Sequence, residues 1–241
     1  PPRSTLFPYT TLFRSPEEWW QAFLSAAGRL LKREPQAGSR VIAVCCSTQG
    51  EGTIAVDRSG KALGNAILWM DMRGAPYLHK QINGTINVAG ADLFKVLRFV
   101  RLTGGMPSTT GKDPAAHTLF IRDTMPDVYT CTHKFLNVLD YLNLRLTGEF
   151  VASYDSIITS WVTDNRNPDA VHYDDSLIHS LGIDRAKLPD VVPCSTVIGC
   201  LRREVAEALG LSQEVKVVAG AIDNTAAAIG AGTVKDYLPH L

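Results

Sequence analysis

Val217-Val218-Ala219-Gly220-Ala221-Ile222-Asp223-Asn224-Thr225 is the stretch that decides the fold of this 241-residue chain. An apolar run predicts a buried strand over Val215 to Val218, a glycine-containing turn follows, and the small residues from Asn224 to Ile229 predict a helix. In α/β sheets, ligands gather at the carboxyl ends of strands. Asp223 therefore stands where a carboxylate could take a proton from a substrate hydroxyl. The same residue could instead only cap the helix and complement its dipole. On the motif alone both readings stay open.

Working outward, two more segments offer chemistry. Trp69-Met70-Asp71-Met72-Arg73 follows an expected strand over Ala66 to Trp69. Its indole offers an apolar face for a sugar carbon skeleton, and Asp71 could accept hydroxyl hydrogen bonds. The plainer reading is a packing tryptophan beside a surface ion pair. Ser47-Thr48-Gln49-Gly50-Glu51-Gly52 is a polar loop between two expected strands, Val41 to Cys46 and Thr53 to Val56. Its glycines would let a ligand approach the backbone, and Glu51 could grip hydroxyls. A plain hairpin loop is the bland alternative. Connections this short predict antiparallel neighbours, and the apolar run at Val41 predicts a strand covered on both faces.

The remaining pattern is mostly helical. Ser15, Pro16 and Glu18 supply a cap, a first-position proline and a third-position glutamate, and an apolar stripe from Trp20 to Leu31 follows. Further helices are expected around Leu93 to Leu102, from Asp113-Pro114, across Phe135 to Leu146, over Asp175 to Leu181 and over Arg203 to Leu209. Residues 164 to 175 read as loop. The expected class is α/β, a mixed sheet with a helical insertion.

Composition narrows the options. The 24 basic and 24 acidic side chains cancel, so no electrostatic argument points to nucleic acid or an anionic membrane. No apolar run is long enough to cross a bilayer. Five cysteines with no C-x-x-C spacing argue against a disulfide framework and a zinc site, so no metal ligands are assigned. Free thiols in a reducing cytoplasm are the expectation. Residues 1–15 repeat Thr-Leu-Phe between two Arg-Ser pairs and read as a non-native, adapter-like leader.

Taken in order, these motifs resemble the amino-terminal domain of the FGGY carbohydrate kinases, which include xylulokinases and glycerol kinases. The resemblance runs from about Pro16 to Gly232. It rests on Pro16-Glu17-Glu18-Trp19-Trp20, the Gln49 loop, Asp57-x-x-Gly60, Ile67 to Arg73, Asp140-Tyr141-Leu142, Leu146-Thr147-Gly148, and Asp223-Asn224 followed by Gly230-Ala231-Gly232. It implies an actin-like (RNase H-like) ATPase fold, here truncated at both ends. Residues 16–232 would form the sugar-binding domain without its first strands, and 233–241 would lead toward a missing ATP-binding domain.

By the same resemblance, Asp223 is the general base, and Asn224, Trp69, Asp71 and the Gly50-Glu51 pair line the sugar site. The parent would use ATP and Mg²⁺ to phosphorylate a small ketose or polyol, a xylulose-like ketose first. The fragment by itself would be inactive and would bind neither cofactor tightly. A small-molecule sugar or polyol is the expected partner, with no nucleic acid or membrane, and a homodimer is the expected assembly of the parent. Three departures stand out. No Asp-x-Gly-Thr occurs; Gln49-Gly50-Glu51-Gly52 is nearer the glycerol kinase Gln-Arg-Glu-Thr than the xylulokinase Gln-Met-His-Gly; and Phe120 stands where many relatives place tryptophan. A non-catalytic sugar-binding module on the same fold is the alternative.

Overall fold

The computed structural model describes residues 13–88 and 90–234; most of the 1–15 leader lies outside that range. Two hydrogen-bonded sheets hold the segments singled out in the sequence. In the first, Phe13–Arg14, Ala66–Leu68, Gly52–Val56 and Lys134–Leu136 pair antiparallel in that order. In the second, Lys216–Ile222 is central, with Val197–Cys200 antiparallel on one side and Ala43–Thr48 parallel on the other.

Among the described residues, the strand that was to be covered on both faces is an edge. Only Cys46 of Ala43–Thr48 is buried, Ile42 just before it is 81% exposed, and no described strand pairs on its far side. Nor is it the antiparallel neighbour of Gly52–Val56. Its partner is Lys216–Ile222, and the loop at Gln49 passes the chain from one sheet to the other. Short connections favour hairpins only where both strands belong to one ladder. The expected hairpin does form between Gly52–Val56 and Ala66–Leu68, turned where Asp57 Oδ1 accepts the Ser59 and Lys61 amides.

Helices cover these sheets where the stripes predict. Pro16–Arg33 begins with the Ser15 hydroxyl accepting the Glu18 amide and buries Trp20 against Leu139, Leu146, Val205 and Val217. Asp175–Leu181 and Arg203–Leu209 fall where periodicity places them. A second core joins Leu78, Phe99, Leu119, Leu177 and Leu181 in the helical part. The helix expected from Phe135 begins only at Val138. Asn137 and Asp140 form a reciprocal capping box, and Phe135 with Leu136 pairs as strand against Ile54 and Ala55. That cap is a stronger start signal than the apolar run preceding it.

Gly220 shapes the end of the central strand. At φ 79° it occupies the left-handed region, and a Cβ there would lie 2.4 Å from the Cys46 carbonyl oxygen. The pairing with Ala43–Thr48 shifts register between Val218 and Ala221, around this residue. Buried Asn143 donates to the Ala219 carbonyl at 2.7 Å and holds the strand just before the irregularity.

Candidate active site

Strand register brings the separate sequence motifs together. Thr48 is opposite Ile222 in the parallel ladder, so the Gln49 loop leaves its strand beside Asp223. Gly52 is opposite Leu68 in the antiparallel ladder, so Glu51 and Trp69 follow at adjacent strand ends. Gln49 Nε2 donates to the Glu51 carbonyl at 2.8 Å and closes the loop on itself. A Cβ on Gly50 would meet the Ile222 side chain at 3.3 Å, and one on Gly52 would meet Val138 at 2.8 Å. Both glycines therefore permit a close fit that a side chain would disturb.

Asp223 is the first residue of the helix Asp223–Gly230, whose N-cap is Ile222. Its carboxylate is exposed, and Oδ1 accepts the Asn224 amide at 2.8 Å. Asn224 is exposed beside it. Trp69 is 47% exposed, an unburied indole at a strand end rather than a core residue.

Glu51 is half-buried, and its carboxyl is pushed up to about 7, first by burial and then by the neighbouring carboxyl of Asp113, against the opposing charge of Lys112. Asp113 is itself buried. It is the N-cap of Pro114–Thr124, yet its carboxylate turns away to accept the Ser108 amide, and burial raises its pKa. Sequence reading took Asp113 only as a helix start. Its place beside Glu51 depends on a tertiary approach across 62 positions of chain, which no local pattern encodes.

Asp71 does not fit the role expected of it. It is fully buried, and both carboxylate oxygens are taken by Arg73, with Nε at 3.0 Å from each and a terminal guanidinium nitrogen at 2.7 Å from Oδ2. Burial works against the charge, but these bonds hold the carboxyl below its usual range. No acceptor is left to grip a hydroxyl. Asp71 instead fixes the end of the tryptophan strand. Its carbonyl accepts His117 Nε2 at 3.0 Å, and the Thr53 hydroxyl meets His117 Nδ1 at 3.1 Å. Burial lowers His117 to about 4, so the ring is neutral, donating from Nε2 and accepting at Nδ1.

The loop and strand ends thus carry an exposed indole at Trp69, a half-buried carboxyl at Glu51 and an exposed carboxylate at Asp223. Among the described residues no three His, Cys, Asp or Glu side chains converge to hold a metal ion. No described helix is long and apolar enough to cross a membrane.

Known proteins resemble this chain in sequence and in fold. Residues 8–230 match the N-terminal domain of the FGGY family of carbohydrate kinases. The xylulose kinase of Escherichia coli is 31% identical over 92% of this chain and 42% of its own length. The glycerol kinase of Thermococcus gammatolerans is 30% identical over 90% of the chain and 41% of its own length. A crystal structure of a xyloylose (xylulose) kinase from Brucella ovis superposes with a TM-score of 0.79 at 26% identity, covering 92% of this chain and 43% of that one. The chain thus spans about two fifths of the length of the relatives it matches. In sequence and in its mixed, actin-like α/β architecture, the chain belongs to the FGGY family of carbohydrate kinases and carries that family's N-terminal domain.

Proposed function

We propose that this chain is the sugar-binding part of an ATP-dependent kinase that phosphorylates a small neutral ketose or polyol. The observation that carries the reading is the register that sets Trp69, Gly50-Glu51 and Asp223 along neighbouring strand ends. In this reading Trp69 stacks on the carbon skeleton, Glu51 and Asn224 bind hydroxyls, and the Gly50 backbone allows close approach. Asp223 accepts the proton of the attacking hydroxyl as its oxygen bonds to the γ-phosphorus and the bond to the bridging oxygen breaks, releasing ADP, a step that depends chiefly on positioning and on excluding water.

The electrostatics favour neutral acceptors. Burial first, and the nearby Asp113 carboxyl second, raise the pKa of Glu51 against the opposing charge of Lys112, so the surroundings of this carboxyl already disfavour negative charge. A sugar acid would add a third negative charge. Ketoses and polyols present hydroxyl donors, which suit carboxylate acceptors. ATP supplies the phosphoryl group and Mg²⁺ its charge neutralisation, and we assign the binding of both to the complete parent protein. Residues 16–232 are read as the sugar-binding domain, in a cytoplasmic parent that assembles as a homodimer.

The deciding test is ADP release by the full-length parent with Mg-ATP across xylulose, ribulose, glycerol, erythritol and gluconate. Turnover of a neutral ketose or polyol, abolished by Asp223→Ala, is the expected result. Turnover of gluconate alone would overturn the electrostatic argument. Silence across the panel from a folded protein would favour a non-catalytic sugar-binding module.

A further inference from the structure

Asp155 lies in the short helix Tyr154–Ile157, 67 residues before Ile222. Its carboxylate reaches across to the junction that presents Asp223. Oδ2 accepts the Ile222 backbone N–H at 2.8 Å, and Oδ1 accepts the Thr225 hydroxyl at 2.8 Å. The two bonds clamp the residue before Asp223 and the residue two after it. The helix Asp223–Gly230 has no side-chain cap of its own at Ile222. A helix start leaves backbone donors unsatisfied and favours negative charge nearby. Asp155 answers both needs from a distant part of the chain.

The clamp is itself anchored. The Ser153 hydroxyl accepts the Ser156 amide at 3.2 Å, the Ser156 hydroxyl donates to Asp140 Oδ2 at 2.9 Å, and Asn137 Nδ2 donates to the Ser156 carbonyl at 2.9 Å. Asn137, Asp140, Ser153 and Ser156 are all buried. A rigid polar network thus ends in one carboxylate whose two oxygens straddle Asp223 in sequence.

We infer that Asp155 is a positioning residue for the phosphoryl-transfer step: it sets the place and direction of Asp223 without touching sugar. The inference rests on the reading of Asp223 as general base. Displacing a catalytic group by about an ångström can lower turnover on the order of a hundredfold. Asp155→Ala in the full-length kinase should therefore lose about a hundredfold in kcat, with KM changed by only a few-fold. Asp155→Asn keeps an oxygen for the Ile222 amide and can donate to the Thr225 hydroxyl, so it should recover most of that loss. Thr225→Val removes one bond of the two and should fall between. The double variant Asp155→Ala/Asp223→Ala should be no slower than Asp223→Ala alone, because residues acting as one unit are not additive.

A readout independent of catalysis is available on this chain itself. Hydrogen exchange at the Ile222 amide should accelerate in Asp155→Ala and stay protected in Asp155→Asn. Wild-type kcat in Asp155→Ala beside a dead Asp223→Ala enzyme would overturn this inference alone, as would an unchanged Ile222 exchange rate. An Asp223→Ala enzyme with undiminished turnover would overturn the base assignment and this inference with it.

Discussion

Asp140 is 1% exposed, and its two carboxylate oxygens have unequal surroundings. Oδ2 accepts the Asn137 amide at 3.2 Å and the Ser156 hydroxyl at 2.9 Å, whereas Oδ1 is buried with no protein partner. Burial outweighs those bonds and lifts the carboxyl from 3.8 to about 7. Because the folded pKa lies above the unfolded one, the folded state holds a proton that the unfolded chain has released. The contribution of Asp140 to stability is then fully present at acid pH and is lost as pH rises toward 7. Each pH unit inside that window is worth about 1.4 kcal/mol, so between pH 5 and pH 7 the effect amounts to about 2–3 kcal/mol. Asp140→Asn keeps a neutral acceptor in place and cannot titrate. Urea unfolding of both proteins from pH 5 to pH 8 should show the variant gaining by that amount relative to wild type, with the difference levelling above pH 7. A stability difference that stays flat across the range would refute the assignment of a raised pKa.

Other consequences are equally direct. Gly220→Ala places a Cβ in the left-handed region against the Cys46 carbonyl, and thermal unfolding should show a loss of about 3 kcal/mol, more than the 1–2 kcal/mol of backbone strain alone. Sugar binding measured by calorimetry should tighten as pH rises through about 7, because ionised Glu51 accepts hydroxyl donors better, and Glu51→Gln should flatten that profile. The open edge at Ala43–Thr48 should drive self-association of the isolated chain; size-exclusion chromatography should show multimers, with the monomer fraction rising in Cys45→Lys, whose exposed site tolerates the charge. A monodisperse wild-type monomer would contradict this.

The sequence was legible wherever a local signal decided the outcome. Ser15 and Pro16 announce their helix, Asp57-Arg58-Ser59-Gly60 its turn, and Gly104, Gly148, Gly182 and Gly210 stop helices in the left-handed conformation that glycine adopts without a Cβ penalty. The positions of Gly50-Glu51, Trp69 and Asp223 were readable too, since each lies just beside the end of a strand. What sequence could not supply was pairing across the chain. Strand Ala43–Thr48 looks like half of a hairpin until Lys216–Ile222 arrives to claim it. Asp71 looks like a hydroxyl acceptor because Arg73, two residues on, could as easily have faced solvent; the ion pair and the His117 contact close it off. Asp113 signals only a helix start and Asp155 carries no motif, and both gain their further meaning from segments packed against them in the fold.

The loop at Gln49 joins the two ladders. It is a three-residue bridge, Gln49-Gly50-Glu51, with one abutment at the Thr48–Ile222 pair and the other at the Gly52–Leu68 pair. In the proposed site its span fixes the gap between the stacking tryptophan and the proton acceptor. On that proposal the bridge would act as a ruler for regiochemistry: the carbon resting on Trp69 would dictate which hydroxyl, counted along the chain of the sugar, arrives at Asp223. Lengthening or shortening it by one residue would change the position phosphorylated before it changed the kind of sugar accepted.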